Sequence, residues 1–147
     1  MSTSASICAA VVAVVSAAAG VLGAWRWWRI EPSRAFWVLA RAGQAAAVVQ
    51  AILAGVLAVL GFTPSSGLYW VYALVPVVVS FVAEQLRIAS AQAVLDARGL
   101  EDAEAVGELD EQGQRSVVLA ILRREMGVIT LAAFVTALLS LRAIGTA

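Results

Sequence analysis

Four long apolar runs, each bounded by charged, aromatic or turn-forming positions, make up most of this chain. The first, ASICAAVVAVVSAAAGVLGA, carries no charge over 20 positions, which is the length of one helical crossing of a bilayer. The pattern as a whole predicts an all-α integral membrane protein, a four-transmembrane-helix antiparallel bundle forming one domain over 1–147. Its helices are expected at 5–28, 34–62, 68–98 and 113–143, with an acidic cytoplasmic loop at 99–112.

The third run sets the level of everything else. YWVYALVPVVVSFVAEQLR begins in aromatics, crosses apolar residues and ends in Glu84, Gln85 and Arg87. At 1.5 Å per residue, 68–83 spans about 24 Å, against a hydrocarbon core of ~30 Å, so Glu84 falls at one membrane face. The helix has no glycine until Gly99, so its last turns project beyond that face. Pro76 predicts a kink in mid-span. In the fourth run, 126–141 has 16 residues, as 68–83 does. The third and fourth helices therefore read as a long hairpin extended into the cytoplasm, zipped by apolar residues that include Leu86, Ile88, Val94, Val117 and Val118. A short helix at 100–106 is expected between them, stopped by Gly107, with Asp110 capping the fourth.

The connections carry their own signals. In WRWWRIEPSR, Trp25, Trp27 and Trp28 suit the headgroup zone, Pro32 breaks the helix and Ser33 caps the next one. TPSSG at 63–67 is a turn, and Tyr69, Trp70 and Tyr72 form the aromatic belt of the opposite face. Nine of the ten arginines lie on the side of Trp25–Arg34 and only Arg142 on the other. That side is therefore cytoplasmic, which predicts a multi-pass protein of the cell (inner or plasma) membrane with both termini outside. No basic residue precedes the first run, so it reads as a retained helix and not as a cleaved signal.

Composition agrees with a bilayer as solvent: 62% of residues are hydrophobic and 14% charged, with a mean hydropathy of +0.90. Net charge is zero and no basic tract exists, which excludes a nucleic-acid partner. All ten basic residues are arginine, and with abundant Ala, Val and Gly this suggests a GC-rich bacterial genome. Histidine is absent and Cys8 is the single cysteine. An internal disulfide, a Cys/His metal cluster, His-ligated haem and a Ser-His-Asp triad are thereby excluded. No phosphate-binding glycine loop or paired-carboxylate motif is present, and neither an enzyme nor a cofactor is expected.

The candidate chemistry lies in two places. Arg41, Glu84, Arg87, Arg123, Arg124 and Glu125 share one depth, where a charge must be paired or reach the headgroups. Arg41 with Glu84 and Arg87 with Glu125 are the expected pairs; the layer is either a girdle that fixes helix register, an anion or lipid-headgroup site, or a charged gate. Tyr69, Tyr72, Pro76, Ser80, Glu84 and Arg87 lie at spacings of three and four on one face of the third helix, with Gln44 and Gln50 on the second as further polar groups. That stripe is either a packing seam or a solute path. Small residues at four-residue spacing (Ser16, Gly20 and Ala24; Gly43, Ala47, Ala51 and Gly55) suit close helix contacts. The function expected from these features is a small non-catalytic membrane protein acting through assembly, as a homo-oligomer or as an accessory subunit among other membrane subunits and lipids. A channel or transporter using Tyr72, Ser80 and Glu84, and a lipid or quinone binder, are the alternatives.

Overall fold

The computed structural model describes residues 1–147 as five helices without a strand: α1 (Ser2–Arg29), α2 (Arg34–Val59), α3 (Leu68–Ala97), α4 (Ala103–Gly107) and α5 (Glu111–Ile144). Four of them, α1, α2, α3 and α5, are long and apolar enough to cross a membrane.

Local chemistry fixes where each begins and ends. Ser33 caps α2 by accepting the Phe36 N–H at 3.2 Å, and Asp110 caps α5 through the Gly113 N–H at 2.8 Å. Asp102 caps α4 through the Ala105 N–H at 2.9 Å, so the short helix starts at Ala103 and not at 100. Three C-termini close by the same pair of hydrogen bonds, one of which reaches back five positions. Phe62 donates to the Leu57 carbonyl, Leu100 to Leu95 and Glu31 to Arg26. Each closure needs a left-handed residue, supplied by Gly61 (φ 76°), Gly99 (φ 66°) and Ile30 (φ 53°). Gly61 therefore ends α2 at Val59, short of the expected 62, and turns Phe62 back onto Tyr69 with ring centroids 5.7 Å apart. Ile30 is the anomaly, because a β-branched residue rarely enters this region.

α1 packs against α2 and α5, and α3 against the same two helices. One core cluster joins Ala5 and Ala9 of α1, Ala54 and Leu57 of α2, Tyr69 and Ala73 of α3, and Ala143 of α5. Starts of α1 and α3 thus meet ends of α2 and α5, so successive long helices run in opposite directions. At this aromatic end the Ser66 N–H reaches the Thr146 carbonyl at 3.3 Å. A second cluster, Phe36, Ala40, Ala83, Met126 and Ile129, closes the other side.

Small residues set the spacing between these helices. A Cβ on Gly23 would stand 2.5 Å from the Phe36 ring and press on the Thr130 hydroxyl. On Gly20 it would stand 2.9 Å from the Phe134 ring, and on Gly43 3.0 Å from Ser16 Oγ. The small stripes make the close helix contacts expected of them within this chain: Ser16, Gly20, Gly43 and Ala47 are buried. The physical reason is that small side chains let any two backbones approach, and the chain's own helices are the nearest. Gly55 alone of those stripes has open space, with nothing within 4 Å of its Cβ position.

Beyond the Phe36–Met126 level, α3 and α5 continue together for about 20 Å at 1.5 Å per residue. The zipper there is looser than the sequence suggests. Val94 and Val117 are buried, but Leu86, Ile88 and Val118 are 52%, 59% and 57% exposed. Arg98 Nη1 bridges the pair by donating to Ser116 Oγ at 2.9 Å.

Candidate functional site: a charged layer and an arginine cleft

Three helices deliver charge to one level. α2 presents Arg41 and Gln44 one turn apart, α3 presents Ser80, Glu84 and Arg87 at spacings of four and three, and α5 presents Glu125. Glu84 Oε1 accepts from Arg41 Nη1 at 2.7 Å and from Gln44 Nε2 at 2.9 Å. Its Oε2 accepts from Arg87 Nε at 3.1 Å and from Arg41 Nη2 at 3.3 Å. Arg41 also donates to Gln44 Oε1 at 2.8 Å, and Arg87 Nη1 to Glu125 Oε1 at 3.4 Å. The Arg87 guanidinium lies 5.8 Å from the Trp37 ring centre. Both ion pairs expected from the sequence form.

The chemistry of this layer is one of saturation. An ionised carboxylate offers about four acceptor positions, and four donor contacts fill those of Glu84. Two guanidiniums and two carboxylates balance in charge. The contacts join α2, α3 and α5 through Glu84 and Arg87.

Towards the middle, all four long helices meet around a cavity of about 20 Å³ bordered by Ser16, Gly43, Gln44, Ser80 and Thr136. It has room for a single water, which needs ~10–15 Å³. Ser80 Oγ is already committed to the Pro76 carbonyl at 2.8 Å. A shallow recess of about 300 Å³ between α2 and α3, lined by Gln44, Val48, Ser80, Phe81 and Glu84 among others, opens outward. Gln50 and Tyr72 lie away from it. Gln50 Nε2 donates to the Ala73 carbonyl at 3.2 Å while its Oε1 is buried without a partner. Tyr72 packs on the aromatic-end cluster. The structure thus joins Arg41, Gln44, Ser80, Glu84, Arg87 and Glu125, and separates Gln50 and Tyr72 from them.

Arg124 belongs elsewhere. With Arg29, Arg115, Arg123 and Ile30 it lines a cleft of about 490 Å³ between the end of α1 and the flank of α5. Trp27 pins the two helices there: its Nε1–H donates to the Arg123 carbonyl at 2.9 Å. Gly127 makes room for the indole, since a Cβ would stand 3.2 Å from Trp27 Nε1. The spacing Arg115, Leu119, Arg123 marks one face of α5 in the sequence. Only the rotation of α1 against it brings in Arg29. No group of His, Cys, Asp and Glu is placed to hold a metal.

No protein-family model, characterised protein or solved structure matches this chain.

Proposed function

We propose that this chain is a non-catalytic membrane protein, a four-helix antiparallel bundle in the cell membrane with both termini outside, that works by assembling with further copies of itself or with other membrane subunits. The observation that carries the reading is the closed interior. The cavity where all four long helices meet holds about 20 Å³, and Glu84, which lines the separate recess between α2 and α3, has its acceptor positions occupied. A path for a solute has no space inside one copy, so the surface is left to act. On that surface, the part of the α3–α5 pair beyond the charged layer leaves Ile88 and Val118 exposed where hydrocarbon does not reach. Apolar side chains in that position favour a protein neighbour.

The test is cross-linking in native membranes. Ile88→Cys and Val118→Cys, each with Cys8→Ala, are treated with a permeant bis-maleimide. The reading predicts an adduct of doubled mass or one with a second polypeptide. Recovery of the single chain alone, at 15.3 kDa, would overturn assembly through this face.

Lipid binding is the second reading, and the arginine cleft is the observation that favours it.

A further inference from the structure

We propose that the cleft between the end of α1 and α5 is a phosphate-binding site, matched to the headgroup of an anionic phospholipid. Four arginines, Arg29, Arg115, Arg123 and Arg124, line it with Ile30, Leu119 and Ala120, and no acidic residue does. The chain's ion pairs use Arg26, Arg41 and Arg87, never these four. The acidic stretch over 101–111 does not neutralise them either. Four like charges around one space repel, and an anion relieves that repulsion. Guanidinium is the cation suited to phosphate, since its planar fork donates two parallel N–H bonds to two oxygens.

The surroundings match a headgroup. Arg123 also borders a neighbouring recess of about 170 Å³ with Trp27 and Trp28, so an aromatic shelf adjoins the cationic cleft. The Arg29 guanidinium stacks 4.7 Å from the Trp25 ring centre. Exposed tryptophans beside arginines are the side chains of the interface, where an apolar ring and a polar group meet their respective solvents. Arg123 and Arg124 stand immediately before the apolar run 126–141, at the depth where headgroups replace hydrocarbon. The proposal rests on that membrane placement but not on the protein partner proposed above.

The experiment is native mass spectrometry of the purified, delipidated full chain, titrated with cardiolipin, phosphatidylglycerol and phosphatidylethanolamine. The site predicts retention of the two-phosphate lipid at least about tenfold tighter than of the zwitterionic one. Arg123→Gln with Arg124→Gln is expected to abolish that preference, whereas Arg142→Gln at the opposite end keeps it. If the double variant loses helicity, the exposed Arg115→Gln alone is expected to weaken cardiolipin retention several-fold. Inorganic phosphate forms the other arm: displacement of the lipid at millimolar concentration assigns the same site to a soluble phosphate, and no displacement assigns it to the lipid. Equal retention of anionic and zwitterionic lipids with no effect of phosphate would overturn the proposal, as would full selectivity in the variants. Either of these in a protein that still cross-links to a neighbour would leave the assembly reading standing.

Discussion

Arg41 on α2 and Glu84 on α3, 43 positions apart in sequence, meet at 2.7 Å, and Gln44, one turn along α2, reaches the same carboxylate oxygen at 2.9 Å. Glu84 is the centre of this layer, because Arg87 uses its other oxygen and passes the connection on to Glu125.

Removing the charge at Glu84 leaves Arg41 without an ion pair and Arg87 with Glu125 alone. Glu84→Gln keeps the shape, halves the acceptor capacity and leaves Arg41 and Arg87 facing each other. The expected loss is about 2 kcal/mol, the range for hydrogen bonds to a charged group. Denaturant-titrated unfolding in mixed micelles measures it. In a double-mutant cycle with Arg41→Gln, a coupling above about 0.5 kcal/mol marks direct interaction, whereas additivity would mean that the pair does not hold the helices.

Close packing makes opposite predictions for two glycines. Gly23→Ala forces a methyl against Phe36 and Thr130 and is expected to destabilise by about 1–3 kcal/mol through overpacking. Gly55→Ala meets nothing within 4 Å and should stabilise by about 0.5–1 kcal/mol through helix propensity. Equal effects at the two sites would show that α1 does not approach α2 and α5 as closely as described.

Ile30 bears strain that a different residue relieves. Its left-handed φ of 53° disfavours a β-carbon by about 1–2 kcal/mol. Ile30→Gly is therefore expected to raise the unfolding free energy by about 1 kcal/mol after the lost side-chain contacts are counted. Ile30→Val keeps the strain and gains nothing. A loss of stability in the glycine variant would place the value of Ile30 in its side chain.

Much of this was legible in the residues themselves. Ser33 and Asp110 announce their helices because a short polar side chain before an apolar run has one obvious task, to accept a free N–H. Arg41 with Glu84, and Arg87 with Glu125, could be paired by depth alone, since a charge at the edge of an apolar helix has few places to find its opposite. Rotation about the helix axes was not legible. It sends Arg124 to the cleft while its neighbour Glu125 turns to Arg87, and it turns Ser16 and Gly43 towards each other rather than outward. The early end of α2 depended on Gly61 being left-handed, a conformation that a glycine in an apolar stretch permits without announcing. The exposure of Ile88 and Val118 followed from the same blindness to rotation, because composition marks them as zipper residues on any face.

Mass measurement of the protein extracted gently from its own membranes, kept in native lipid, bears most directly on the claim that the surface acts through assembly. The account predicts a discrete complex, either an integer multiple of 15.3 kDa or that mass with a second polypeptide in fixed ratio. A single chain carrying only lipid, under conditions in which known membrane oligomers survive, would contradict it.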